Sequence, residues 1–323
     1  MENVSITSAT DHLSPQVAAI HGVVLIFTTI AVFVANILAL VILPHVQSIP
    51  VNNRLFFMSL AIAELGNGAL YASGIYPFYA GHFPYGSFVC RYGFGAMLVA
   101  LTIVSTSSLL ALNMDRYIAI VKPFKYATLM TRNRVLFANV IIWVAAAIGG
   151  ISFSAYGLPC SFRRPTGFCV ADFTVLSVVM NATIMIPFCL PSTAMIVIYG
   201  HLLHITHTQI KAIQKQYQQV MGNDNQQVKV QRSNHLRMEL KNICTFLSIT
   251  IVHYLVWMPY YVINTIYSYN GVMVPSEIYN IVSWFSSSGS WLIAVILMGS
   301  NEGCRKQIGR LLKNCLHRRT APA

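Results

Sequence analysis

Apolar positions in this chain gather into long runs separated by short polar or turn-forming stretches. Seven of the runs reach the length of about 20 residues that a helix needs to cross a hydrocarbon core about 30 Å thick. They cover residues 18–43, 54–80, 88–121, 135–156, 174–203, 236–267 and 276–298. None alternates apolar with polar at period two, so the runs predict helices and not barrel strands. The expected fold is an all-α membrane protein, a bundle of seven transmembrane helices. Residues 1–17 form a tail, 18–299 the bundle, and 300–323 a short amphipathic membrane-surface helix with its own tail.

Composition sharpens this picture. Of the 323 residues, 55% are hydrophobic and 9% charged, against about 25% charged in soluble domains, and mean hydropathy is +0.60. A water-soluble globule and a disordered chain are both excluded, and 7 Cys spread along this length are no disulfide framework. The net charge of +12 would suggest nucleic acid only if basic residues shared one soluble face. Here they sit between the apolar runs, so no nucleic-acid partner is expected. Apart from Arg91, Arg163 and Arg164, every Lys and Arg falls at the ends of, or in the segments after, runs one, three, five and seven. The positive-inside rule then puts the N-terminus outside and the C-terminus in the cytoplasm. Residues 1–17 lack a basic stretch, short apolar segment and cleavage site, so the first run is expected to act as its own insertion signal.

Residues 204–235, rich in Gln and Lys around Met221-Gly222-Asn223-Asp224-Asn225, read as a mobile polar linker between two helices that extend beyond the bilayer. Past the seventh run, Ile308, Leu311 and Leu312 share one helical face and Arg305, Lys306, Arg310 and Lys313 lie elsewhere, the pattern of a helix resting on membrane lipids. Cys315 near its end is a candidate for palmitoylation.

Several markers occur in a fixed order along nearly the whole chain: Asn36, Ser59-Leu60-Ala61-x-Ala63-Glu64, Cys90, Asp115-Arg116-Tyr117, Trp143, Pro191, Tyr199 and Trp257-x-Pro259. On these residues the chain resembles a rhodopsin-like (class A) G-protein-coupled receptor. The resemblance implies a plasma-membrane receptor with an extracellular N-terminus, an extracellular ligand and a heterotrimeric G protein as partner. It implies that Arg116 pairs with Asp115 and with Glu239 at the foot of the sixth helix, and that Asp115, Arg116, Tyr117, Glu239, Tyr199, Trp257 and Pro259 form the coupling switch. It implies a disulfide from Cys90 to the second outer loop, where Cys160 and Cys169 both compete and Cys169 lies at the more usual distance before Pro191. It also implies a candidate sodium site at Glu64, Ser105 and Ser290, although the family usually has Asp at 64 and Asn at 293, where this chain has Glu and Ile. No other cofactor is expected. Asn3-Val4-Ser5 is a glycosylation sequon on the tail, and Asn181-Ala182-Thr183 is a second one inside a helix, expected to be unused.

The expected ligand pocket comprises Met97, Leu98, Trp257, Tyr260, Tyr261 and Trp284, aromatic and nearly uncharged. Amine receptors carry an Asp where this chain reads Gly95-Ala96-Met97-Leu98, and opsins a Lys where it has Ser287. Amine and retinal ligands are therefore disfavoured, which leaves a neutral or amphipathic small molecule, a lipid or a peptide. The seventh helix departs most from the family: Asn-Pro-x-x-Tyr is replaced by Ile293-Ala294-Val295-Ile296-Leu297. His253 stands where the family has Phe, either as a packed hydrogen-bonded residue or as a proton-sensitive switch. The main reading is a ligand-activated receptor. The alternatives are a receptor-like protein that binds or dimerises without signalling, which the seventh helix favours, and a transporter, for which Glu64 is the single midplane charge. No nucleophile, base and orienter set suggests an enzyme.

Overall fold

Uninterrupted apolar sequence with few Gly or Pro residues leaves the backbone one way to satisfy its hydrogen bonds inside a bilayer, and the chain takes it. The long helices are α1 (Pro15–Ile42), α2 (Val51–Ala80), α3 (Gly95–Val121), α4 (Arg132–Ala155), α5 (Val178–Gln219), α6 (Gln226–Asn270), α7 (Ser276–Ser300) and α8 (Glu302–Thr320). The computed structural model describes residues 15–155, 160–163, 168–171, 178–219, 226–270 and 275–320. Side chains are described throughout these except at 87, 91, 160–163, 168, 170, 171, 178–185, 187, 206, 209, 210, 212–219, 226–243, 267–270, 276 and 315–320. Seven stretches are long and apolar enough to cross a membrane: Pro15–His45, Val51–Ala80, Tyr92–Val121, Arg132–Ala155, Phe188–Ile205, Cys244–Ile266 and Glu277–Ser300. Each overlaps one predicted run.

Two local features differ from the sequence expectation. Most of 204–235 is helical, because α5 runs on to Gln219 and α6 begins at Gln226. The Gln and Lys residues there are good helix formers, and only the Gly-Asn-Asp-Asn stretch carries turn chemistry. Between α4 and α5 lies an antiparallel hairpin, β1 (Cys160–Arg163) with β2 (Phe168–Ala171), in which Phe162 pairs with Cys169. Strands of four residues are too short for a period to stand out, so the hairpin had no sequence signature.

α3 is the central helix and packs against α2, α4, α5 and α6, while α1 closes the ring between α2 and α7. Its first turns continue outward as a π-helical segment, Val89–Phe94. Burial is inverted relative to a soluble protein. Asn36, Glu64, Asn67, Ser105, Thr106 and Asn113 are buried, whereas Val23, Phe27, Ile30, Val34 and Val41 on α1 and Phe137, Val140, Val144, Ile148 and Ile151 on α4 face outward. The outward faces are what a hydrocarbon solvent requires.

Small residues bring α4 close against α3. A Cβ on Gly150 of α4 would collide with the Ala96 carbonyl oxygen of α3 and meet Ala100 Cβ at 3.0 Å. Close approach through small residues is how membrane helices gain packing energy without a hydrophobic driving force between them. Gly150→Val is expected to separate α3 from α4, costing about 1–3 kcal/mol of overpacking. Surface density and the thermal midpoint of the purified protein should both fall, while the conservative control Gly149→Ala, which meets only the flexible Ile103 Cδ1 at 2.9 Å, falls less.

α2 ends where Gly81 takes φ 72° and donates its N–H to the Pro77 carbonyl at 2.9 Å, a conformation Gly adopts without a Cβ penalty. α7 and α8 meet at Asn301, whose Oδ1 caps α8 by accepting from the Cys304 N–H and also accepts from Ser48 Oγ, each at 3.1 Å. Gln307 Nε2 donates to the His45 carbonyl at 3.0 Å, fastening α8 to the end of α1. Cys304 is fully buried beneath this junction, and burial pushes its thiol up to about 11.

Candidate functional site

Asp115 and Arg116 sit near the last turns of α3, both buried. Arg116 Nη2 and Nε donate to Asp115 Oδ2 at 2.8 and 3.2 Å. The other carboxylate oxygen accepts from the Tyr126 hydroxyl at 2.9 Å. Tyr126 belongs to a short helix, Pro123–Leu129, that folds back under α3. Burial, and after it the nearby Asp115 charge, raise the pKa of Tyr126, so it remains a donor. A buried carboxylate with a bidentate guanidinium on one oxygen and a phenol on the other has its charge compensated by geometry. This is the single ion pair of Arg116 among the described residues. Glu239 lies within α6, but its side chain falls outside the described residues, as do those of Cys160 and Cys315. Asn3 lies outside them altogether.

On its other side the Arg116 guanidinium stands 5.9 Å from the ring centre of Phe246 on α6, within cation–π range. Phe246 stacks on Phe57 of α2 at 5.7 Å. Tyr117 faces His201 of α5, ring centres 5.7 Å apart. Tyr199 of α5 is fully buried and donates to Asn113 Oδ1 at 2.5 Å. Asn113 Nδ2 in turn donates to Thr250 Oγ1 on α6 at 3.3 Å. Higher on the same two helices, His253 Nε2 lies 3.4 Å from Thr106 Oγ1. Phe124, on the short helix beside Tyr126, is 98% exposed. The sequence pattern did not single out Asn113, Thr250, Phe246 or Phe124. An aromatic eight positions past Arg116 was the signal available for Phe124, and a buried Asn in mid-helix offered none.

At the other end of the bundle Cys90 is bonded to Cys169 of β2, Cα atoms 5.4 Å apart. The bond ties the hairpin to the start of α3. Below it lies an aromatic cluster. Phe188 of α5 meets Tyr261 at 4.1 Å and Trp257 at 6.2 Å, and Tyr260 reaches Trp257 at 6.2 Å and Tyr279 at 6.1 Å. Trp284 is held elsewhere, its Nε1 donating to His21 Nδ1 of α1 at 2.7 Å. Leu98 packs with the Cys90 and Phe94 cluster, and Met97 beside it is 49% exposed. Of the six residues expected as one pocket, Trp257, Tyr260 and Tyr261 are in mutual ring contact.

Midway between these ends Glu64 is buried and accepts from Asn67 Nδ2 at 3.1 Å. Ser105 and Ser290 are buried as well, and the Ser105 hydroxyl and Asn67 Oδ1 have no hydrogen-bond partner among the described residues. Asn36 Nδ2 links α1 to α7 through the Ser290 carbonyl at 2.9 Å. Trp143 Nε1 donates to Ser59 Oγ at 3.0 Å. On α7, Ile293, Ala294 and Leu297 belong to the main apolar core with Leu112, Met195 and Ile249.

A bundle that buries its polar side chains along one axis, and holds an arginine ready at one mouth, has the build of a membrane receptor. Residues 35–298 match the family described as 7 transmembrane receptor (rhodopsin family), more than half of the chain, and the protein belongs to that family. It is similar to "Probable G-protein coupled receptor 21" of Homo sapiens, with 24% identity over 71% of this chain and 65% of that protein. It is also similar to "Trace amine-associated receptor 13c" of Danio rerio, 24% identical over 91% of this chain and 85% of that one, and to "Dopamine receptor 1" of Drosophila melanogaster, 26% identical over 93% and 63%. The match thus spans less than two thirds of the first and last of these relatives. That family is one of multi-pass receptors rather than enzymes.

Proposed function

We propose that this protein transduces binding of an extracellular ligand into activation of a heterotrimeric G protein. The observation that carries the reading is Arg116, buried at the mouth of the bundle, compensated by Asp115 and covered by Phe246 of α6. Outward movement of α6 withdraws Phe246 and opens a cationic, partly apolar cleft for a partner. The basic segments between helices support placing this end in the cytoplasm and the disulfide-tied hairpin outside. Glycosylation of Asn3 and palmitoylation of Cys315 fit that orientation, as does α8 lying on the inner lipid surface. The aromatic cluster of Trp257, Tyr260 and Tyr261, with no acid at Leu98, supports a neutral or amphipathic ligand, although some relatives are named as amine receptors.

Glu64, with the unpartnered Ser105 hydroxyl and Asn67 Oδ1, presents oxygen donors of the kind a sodium ion takes. Ser290 lies beside Tyr71 at the same level, and Ile293 adds no donor. An ion held there would favour the closed bundle.

Phe124 supports the coupling reading independently. A phenylalanine almost wholly exposed beside the Arg116 cleft offers an apolar anchor to a docking protein. Phe124→Ala is expected to lower coupling about tenfold or more at unchanged surface density, the loss of a contact worth roughly 1.4 kcal/mol or more, and unchanged coupling would remove this helix from the interface. The experiment for the function as a whole is a ligand screen with a second-messenger readout, using Arg116→Ala as the silent control. The apolar inner half of α7 favours a second reading, binding without signalling. It is adopted if a ligand binds and neither second messengers nor purified G proteins respond.

A further inference from the structure

We propose that Asn113 is the positioning residue of the switch: it holds Tyr199 and pins α6 to α3. This rests on the receptor reading above and extends it to a residue whose role no sequence motif suggests. Thr106 and Asn113 lie seven residues apart on one face of α3, and Arg116 follows within a turn. Opposite them on α6 stand His253, Thr250 and Phe246 in reverse order. The two helices are therefore joined by three successive contacts: Thr106 to His253 at 3.4 Å, Asn113 to Thr250 at 3.3 Å, and Arg116 over Phe246 at 5.9 Å.

Asn113 is the hub of this ladder because its amide is used at both ends. Its Nδ2 donates across to α6, and its Oδ1 accepts from Tyr199 on α5 at 2.5 Å. Asn113, Thr250 and Tyr199 are all at most 2% exposed, so no bulk water competes for these bonds. Breaking the ladder leaves three polar groups stranded together in an apolar core, which gives the closed arrangement its cooperativity. Tyr199 thus has a direct partner on α3, and Leu297 belongs to the same apolar core.

Cys244 supplies the test, being exposed on α6 a few residues from Phe246. A polarity-sensitive maleimide fluorophore on Cys244 of the purified full-length receptor, with a labelled Cys244→Ser sample subtracted, reports movement of the α6 end without any ligand or G protein. Asn113→Leu and Thr250→Val keep volume and remove hydrogen-bonding groups. Thr250→Val is expected to shift the open-to-closed ratio about two- to tenfold, the effect of one net hydrogen bond, and Asn113→Leu, which loses both of its bonds, by at least as much; each raises ligand-independent second-messenger signalling in the same proportion. Thr250→Ser retains the hydroxyl and should match the unmodified receptor in both readouts. A merely structural role would lower the thermal midpoint alone. If Asn113→Leu does not fold, Thr250→Val decides. Folded variants with unchanged fluorescence overturn the clasp. A fluorescence shift with no signalling from any version keeps the clasp and overturns G-protein coupling instead.

Discussion

Arg116→Ala is expected to reduce basal and ligand-stimulated G-protein signalling to background at matched surface density, whereas Glu239→Ala raises the basal signal by up to about fivefold, the size expected for losing an ion pair of about 0–1 kcal/mol. The first change removes the cation that the open cleft would present. It also leaves Asp115 with the Tyr126 hydroxyl as its described partner, a buried carboxylate half compensated, so some loss of surface protein is expected and must be normalised. The second change removes an acid that the family resemblance places opposite Arg116 at the foot of α6. The buried pair with Asp115 remains as a second restraint on Arg116, which keeps the rise modest. Equal and unchanged basal signalling in both variants would sink the assignment of Arg116 as the coupling residue.

Cys90→Ala and Cys169→Ala should each sharply reduce surface density and ligand binding, and the double variant should be little worse than either, since all three lose the same bond. The bond spans 79 residues of sequence. Chain-entropy reasoning gives about 4–5 kcal/mol for closing such a loop in a freely unfolded chain. α3 and α4 are held in the membrane even when the hairpin detaches, so that figure is an upper bound. The effect should therefore appear mainly as a hairpin released from the start of α3. Cys160→Ala is the control. Cys160 stands opposite Ala171 in the backbone register of the hairpin, and Cys90 already has its partner in Cys169, so the change should leave binding intact. Damage from Cys160→Ala equal to that from Cys169→Ala would contradict the pairing.

What could be read in the sequence follows from the physics of each feature. The seven crossings were legible because a bilayer imposes one length and one polarity on every helix. Asp115 and Arg116 stood out only through the resemblance, as members of a set of markers in fixed order, because an arginine at a helix end by itself usually just reaches for the lipid headgroups. Phe124 was not legible: an aromatic in a polar loop looks like any other until its exposure is known. Asn113 was still less visible, since a carboxamide in mid-helix takes its meaning from Tyr199 and Thr250, which lie far away in sequence. The bond from Trp284 to His21 on α1 was hidden for a similar reason, since its two partners lie far apart in sequence. The helical continuation of α5 and α6 into 204–235 was hidden by composition, because Gln and Lys serve a solvated helix and a solvated linker equally well.

The length of α6 makes its inner end a lever on the contact at Thr250. Pro259 stands inside the helix, and an interior proline is where a helix bends. Thr250 lies about 9 residues from Pro259, about 14 Å at 1.5 Å each, and Gln226 about 33 residues away, about 50 Å. A tilt of about 5° at Pro259 carries Thr250 through about 1 Å and the Gln226 end through about 4 Å. The Asn113–Thr250 bond, already 3.3 Å long, does not survive a further ångström. With a displacement ratio of about four, a partner grasping the far end of α6 has mechanical advantage over Asn113. Pulling there can unfasten the clasp from the opposite side of the molecule to the ligand.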